Sequence, residues 1–317
     1  MGIDRLTERQ VIGEFYKALE QDEGASWIGA VSNLFASDQA SEEYAWLGQS
    51  PAMREWIGGR NAKGFRENGL TITNKHYEAT LEILVKDLRR EKSGQALLRI
   101  RELAQRTNAH WASLLSTLIL GGLTGVCYDG QYFFDTDHEE GDSGAQDNDI
   151  TVDISAMPAT NHGTTTAPSV EEMQWAIVRG IEAIVSFVDD QAEPMNENAT
   201  SFMAMVPISF MNVAMQAVDT PQQVAASQTA LTAAKKKFNI EVVPNTRLSS
   251  WTEAFAVFRT DSEVRALIRQ EETAVSLKVK GYGSEFEFDN DAHQYGVDAW
   301  RNVGYGYWQN ACLVTLV

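Results

Sequence analysis

Residues 93–120 carry the clearest regular pattern in the chain. Leu97, Ile100, Leu103, Ala104, Trp111, Leu114, Leu115 and Leu118 recur near the 3.6-residue spacing of an amphipathic helix. Ser93 stands where a helix N-cap is favoured, and Gly121-Gly122 with Gly125 stops the run. Taken as one helix, about 28 residues at ~1.5 Å each span roughly 42 Å. That exceeds the usual helix of a compact domain, so it sets the length of whatever packs along it. Thr107-Asn108 is a candidate kink, which leaves two shorter helices as the alternative.

Strand patterns lie on both sides. Leu70 to Thr73 and Tyr77 to Val85 alternate or run rich in β-formers, and Asn61 to Gly69 is polar with glycine. This region reads as a long two-stranded excursion, and an isolated ribbon is marginal in water. It needs a surface to lie on, in this chain or in a neighbour. Asp129-Gly130, between Val126–Tyr128 and Gln131–Phe134, is a tight hairpin signal. Asp135 to Asp149 is acidic and reads as exposed loop. Pro168-Ser169 opens a helix with Glu171 and Glu172 in its first turn, which suits the helix dipole. Phe202 to Val206 and Ile240 to Val243 read as short strands. Ser209 to Ala217 and Pro221 to Lys237 read as helices. The series implies a small α/β domain. Ala254 to Phe258, Val275 to Lys280 and Phe286 to Phe288 read as strands that pack with 46–166 around that inserted domain. Before all of this, Val11, Ile12, Phe15 and Leu19 mark one amphipathic helix. The rest of 1–45 is acidic and small-residue rich. It reads either as an arm that folds against something else or as a frayed terminus.

Charge narrows the partners. The 317 residues include 26 Lys and Arg against 44 Asp and Glu, a net charge of −18. A nucleic-acid reader needs a basic footprint, and docking on anionic lipid needs one too. With 44% hydrophobic and 22% charged residues, the proportions are those of a globular chain. Two cysteines, Cys127 and Cys312, exclude a disulfide-dense scaffold. No apolar run reaches the ~18 residues of a membrane helix. The first residues lack the apolar core of a secretion signal. The expectation is a protein made and used in the cytosol, or in something assembled there.

The residues that tempt towards chemistry are incomplete. Gly141-Asp142-Ser143-Gly144 matches the string around a nucleophilic serine, but that chemistry needs a base on the serine and a group orienting the base. No histidine sits in a matching context. Asp135, Asp137, His138, Glu139, Glu140 and Asp142 offer ligands to a hard cation, without the order of an EF-hand. The five histidines are scattered, so a zinc site is not indicated. No phosphate-binding P-loop string is present. No catalytic group, metal or cofactor is expected. What remains is an acidic α+β protein whose arm and ribbon lack support of their own, a pattern that favours self-assembly.

Two blocks carry a resemblance. The first runs Trp46-Leu47-Gly48-Gln49-Ser50-Pro51, then Arg54-Glu55-Trp56-Ile57-Gly58 and Arg60, and continues through Thr73-Asn74-Lys75 and Tyr77-Glu78. The second is Cys127 to His138, with Tyr128-Asp129-Gly130-Gln131-Tyr132 inside it. Together they make the chain resemble the major head subunit family of Mu-like phages and prophages, from about residue 44 to the end. The resemblance implies the α+β Hong Kong 97-type capsid fold. Residues 1–45 would then be the N-terminal arm and 46–92 the E-loop ribbon, lying on a neighbouring subunit. Residues 93–167 would hold the spine helix and hairpin of the peripheral domain, 168–253 would be the axial domain, and 254–317 would complete the peripheral domain.

The function implied is a structural shell protein that assembles with itself into pentamers and hexamers around double-stranded DNA, without sequence-specific binding. A separate scaffolding protein and a portal are the other expected partners, and a membrane is not. The place implied is the virion capsid, assembled in the host cytoplasm. Trp46, Leu47 and Trp56 are the candidate interface anchors, since buried aromatics dominate interface energy. Arg54, Arg60, Arg66, Arg89 and Arg90 are candidates to pair with acidic neighbours, although exposed pairs contribute little. Two rivals stand beside this reading. One is an encapsulin-like nanocompartment shell. The other is a hydrolase or metal enzyme using the 135–143 loop.

Overall fold

The computed structural model describes residues 8–21, 24–44, 69–90, 94–219 and 237–317, without the side chains of residues 89 and 90. Helix α1 (Glu8–Gln21) and the single turn α2 (Ile28–Val31) precede β1 (Ser32–Ala36) and β2 (Ser41–Tyr44). Then come β3 (Leu70–Thr73), β4 (Lys75–Leu84), α3 (Val85–Arg90) and α4 (Gln95–Leu120). A long irregular stretch leads to β5 (Asp149–Val152), α5 (Val170–Ser186), β6 (Ser201–Pro207) and α6 (Met211–Asp219). The chain closes with β7 (Asn239–Asn245), β8 (Ala254–Arg259), β9 (Leu267–Lys280), α7 (Glu285–Asn290), β10 (Ala292–Tyr305) and β11 (Ala311–Leu316).

These strands make a four-stranded sheet, β1-β9-β10-β4, and a five-stranded sheet, β5-β11-β8-β6-β7. In the first, β10 runs antiparallel to both β9 and β4, and β1 is parallel to β9. In the second, β6 lies between parallel β7 and antiparallel β8. Strand β6 is buried from Phe202 to Pro207, because sheet neighbours flank it and α5 and α6 are part of the same core. A near-continuous apolar run is what such a strand requires. Helix α5 begins with a complete capping box, in which Ser169 and Glu172 each satisfy a backbone N–H of the other. It lies close on the sheet because residue 180 is glycine: a Cβ there would sit 2.7 Å from Val257 Cγ2.

Helix α4 is one continuous helix of 26 residues, with Gly94 rather than Ser93 at its N-cap. It joins two cores. Ile100, Leu103 and Ala104 pack in a smaller cluster with Val11, Phe15, Tyr295 and Val297. Ala112, Leu115 and Ile119 enter the main cluster, which also holds α5 and the five-stranded sheet. Thr107 does not break the helix: its hydroxyl donates to the Leu103 carbonyl at 2.8 Å. Asn108 donates to the Leu19 carbonyl at 2.9 Å, tying down the end of α1.

Four expectations are corrected. The described arm is not waiting for a neighbour, since Val11 and Phe15 are buried against the chain's own α4 and first sheet. The two ribbon strands do not pair with each other. Strand β3 pairs with β2, and β4 pairs with β10 from Arg301 opposite Lys75 to Ala292 opposite Leu84. Phe286-Glu287-Phe288 is helical, because Ser284 caps it and accepts from the Glu287 N–H at 3.2 Å. The five-stranded sheet is not confined to 168–253: it draws in β5, β8 and β11 from both flanks. The helix expected at Pro221 to Lys237 falls outside the described residues, apart from Lys237.

Candidate assembly surfaces

The sequence-derived interface set is largely beyond description. Trp46, Leu47, Arg54, Trp56, Arg60 and Arg66 lie outside the described residues. Arg89 and Arg90 end helix α3, where the backbone alone is described. The described surface offers other features.

The first is the tip of the β9–β10 hairpin. The chain turns through Gly281-Tyr282-Gly283, forms α7, and re-enters β10 after Asp291 in a left-handed conformation. Tyr282 is 86% exposed and Phe288 is 91% exposed. Both sit among Glu285, Glu287, Asp289 and Asp291, so the tip is aromatic and acidic together. The missed signal was Ser284 three residues before Glu287, a helix-start signature.

The second is a cleft of about 180 Å³ between α4 and the adjoining strands β4 and β10. Ala79, Leu103 and Val297 give it apolar walls, and Arg106, His110 and Arg301 add polar groups. Arg301 is 3% exposed, donates from Nη2 to the Thr107 carbonyl at 3.0 Å and stands 4.7 Å over the Trp111 ring. Among the described residues, neither its Nε nor His110 Nδ1 has a hydrogen-bond partner.

The third is the acidic 135–149 stretch, which is not the open loop expected. The Asp129-Gly130 turn forms as predicted, with Gly130 at φ +92°, a value that glycine tolerates. It carries Asp129 inward. The Asp129 carboxylate accepts from His138 Nδ1 at 2.6 Å and from the Cys127 thiol at 2.8 Å. His138 stacks on Trp308 with ring centroids 3.9 Å apart. Beside them, the Tyr128 hydroxyl donates to Glu140 at 2.5 Å, and Gln309 Nε2 donates to the same carboxylate at 3.2 Å. Burial raises the Asp129 carboxyl, but the hydrogen bonds from His138 and Cys127 outweigh it and hold the group below its usual range.

This network is structural in character. Cys127, Asp129 and His138 bring their ligating atoms within 4.8 Å of one another, the one such group among the described residues. Yet burial, then the Asp129 charge, pushes the Cys127 thiol up, disfavouring the thiolate that a metal would need. Ser143 accepts from the Glu140 N–H and donates to the Gly144 carbonyl, each at 2.9 Å. His138, the nearest histidine in sequence, spends its Nδ1 on Asp129.

A family model described as Mu-like prophage major head subunit gpT matches residues 7–164 and 183–315. The chain belongs to that family. The Mu-like prophage FluMu major head subunit of Haemophilus influenzae is 37% identical over 111 residues, covering 35% of this chain and 36% of that protein. The major capsid protein of Escherichia phage Mu is 30% identical over 117 residues, covering 37% and 38%. Each alignment spans little more than a third of the curated relative. The procapsid of bacteriophage JBD30 superposes with a TM-score of 0.55 at 23% identity, over 96% of this chain and 73% of that chain. The likeness shows a tailed-phage capsid fold of the Hong Kong 97 type, as the resemblance implied.

Within this head-subunit fold, His110 makes stability depend on pH. Burial, then the Arg301 and Arg247 charges, pushes its imidazole down to about 4, and Tyr77 meets it edge-on at 4.4 Å. Between about pH 6.5 and 4 the unfolded chain binds a proton that folded His110 does not. That contribution to stability is present above about pH 6.5 and is lost as pH falls towards 4. The shift corresponds to at most roughly 3 kcal/mol, and nearer 1–2 kcal/mol for a half-buried group screened by solvent. Urea midpoints at pH 7 and pH 4.5 check this, with His110→Gln losing less on acidification than the parent. Equal losses would remove His110 as the cause.

Proposed function

We propose that the chain is the major head subunit of a tailed phage or Mu-like prophage, and that it assembles into an icosahedral shell of pentamers and hexamers enclosing double-stranded DNA. The observation that carries the reading is the family match, which runs through both sheets and α4. The exposed Tyr282 and Phe288 support it, because aromatics left bare at a projecting tip mark an interaction site. In this reading the first sheet with α4 is the peripheral domain and the five-stranded sheet with α5 and α6 is the axial domain. Trp46, Leu47, Trp56 and the arginines Arg54, Arg60, Arg66, Arg89 and Arg90 serve contacts between subunits. Scaffolding protein and portal are separate partners, and assembly takes place in the host cytoplasm.

The charge of −18 fits a wall that packaged DNA slides past rather than sticks to. It also opposes assembly by self-repulsion. Electron microscopy of the purified protein, with and without its co-expressed neighbouring genes, tests the reading. Closed shells or five- and six-membered rings are expected. Their yield should rise from ~0.01 M to ~0.15 M salt, as the Debye length falls from about 30 to about 8 Å. A monomer under every condition would overturn the reading, and shells weakened by salt would overturn the account of the charge.

A further inference from the structure

We propose that the aromatic-acidic hairpin tip of one subunit docks in the α4 cleft of a second copy of this chain, with Phe288 against the apolar walls and Asp289 at the cations. This names a contact within the shell-forming reading and rests on it.

The cleft is built to receive such a group. Buried hydrogen-bonding groups are nearly always partnered. Here a guanidinium nitrogen of Arg301, on a side chain that is 97% buried by the chain itself, and the Nδ1 of His110 are both left over among the described residues. The space beside them, about 180 Å³, equals the liquid volume of about six waters at roughly 30 Å³ each. That is the scale of one aromatic side chain. Apolar walls with a leftover guanidinium donor call for an apolar body carrying an acceptor.

The charge is also unusual for this molecule. In a chain of net charge −18, two guanidinium groups, Arg106 and Arg301, line the cleft beside an uncharged His110 and one carboxylate, Glu78, with Arg106 also paired to Glu102. The tip carries the opposite pattern. Phe288 is 91% exposed, with Glu287 and Asp289 on either side. Glu287 is held by Gly283 N–H and His293, which leaves Asp289 as the carboxylate beside Phe288 that the cleft cations would meet.

The partner must be another molecule. Strand β10 leaves the tip at Ala292 and passes the cleft at Val297 to Arg301. At ~3.4 Å per residue, the seven steps from Ala292 to Ala299 put roughly 24 Å of paired strand between tip and cleft. The strand is bonded on both edges, to β9 and β4, and cannot fold back. A tip-to-cleft contact between different surfaces is heterologous, the kind that closes into rings. Repeated around a ring, a weak contact gains through multivalency.

A full-length Arg106→Cys/Asp289→Cys variant tests the contact. Both native cysteines are buried, and the Arg106 side chain is 78% exposed, so the introduced thiols are the ones that mild oxidation joins. Under conditions where the parent forms shells or rings, a non-reducing gel should show a ladder from dimer upwards, absent from both single variants. Phe288→Ala, whose side chain touches solvent rather than core, should fold normally and raise the concentration needed for assembly at least tenfold. Assembled double-cysteine protein without a ladder overturns the docking, as does Phe288→Ala assembling at the parental concentration. A parent that never assembles overturns the shell reading and the docking with it, and the parent alone reports that outcome.

Discussion

Trp308→Ala is expected to lower stability by about 3–5 kcal/mol, the cost of emptying a large buried aromatic site. Trp308 is fully buried. It lies flat on His138, with an 8° angle between rings, and meets Phe187 edge-on at 5.2 Å. Its short turn, Trp308–Asn310, joins β10 of the first sheet to β11 of the second. The cavity would therefore open at the junction between the sheets, where paired backbones on both sides limit collapse. The indole N–H has no partner among the described residues, so the expected loss is packing and not a hydrogen bond. At roughly 2–3 °C per kcal/mol for a chain somewhat above the calibrated sizes, the melting temperature should fall by about 6–15 °C. Calorimetry of unassembled protein checks this, and a fall of under about 3 °C would mean that the site collapses freely.

His138→Ala is also expected to lower stability, for a different reason. The side chains of His138 and Asp129 are 0% and 3% exposed. Removing the imidazole leaves a buried carboxylate with the Cys127 thiol and one backbone N–H, from Gln131, as its remaining donors. Leaving a buried carboxylate short of its closest hydrogen-bond donor costs about 1–3 kcal/mol, and more for a charged group. The Asp129 carboxyl is held below its usual range in the parent, so its contribution to stability is present above its ordinary titration and is lost as pH falls through the depressed value. His138→Ala should therefore flatten the acid limb of the stability profile. Adding Asp129→Asn removes the stranded charge and should recover part of the loss. Denaturant unfolding of the four proteins in the cycle measures both effects. If Asp129→Asn makes His138→Ala worse, the charge is not the source of the cost. Combining His138→Ala with Trp308→Ala should cost less than the two losses added, because both remove the same stacked contact.

Some of this molecule could be read residue by residue. The α4 run, its stop at Gly121, the helix start at Ser169 with Glu171 and Glu172 in its first turn, and the Asp129-Gly130 turn all depend on neighbours within a few positions, and all form as the pattern indicates. The two recognisable blocks led to the family and to the fold. The same local reading failed where a short segment had two meanings. Phe286-Glu287-Phe288 alternates like a strand, yet Ser284 three residues before Glu287 starts a helix there. The interface arginines and tryptophans chosen from sequence were the residues of a recognisable block. The cleft drew on Arg301, His110 and Arg106, which share no motif and come from two elements.

Helix α4, the start of α5 at Ser169 and the Asp129-Gly130 turn were therefore decided by the order of residues alone, because the forces that make them act over one or two turns of chain. Strand partnership was decided by the tertiary structure. The partner of β4 at Lys75 is Arg301, and that of β5 at Val152 is Leu316. An alternating strand states which face it buries but not against which strand. The same holds for the acidic stretch, where charge content pointed outward. Packing instead drew Asp129, His138 and Glu140 inward, because Tyr128, Trp308 and Gln309 supply the stack and the hydrogen bonds that make their burial tolerable. Gln309 reaches Glu140 from 169 residues along the chain, a distance that no local pattern encodes.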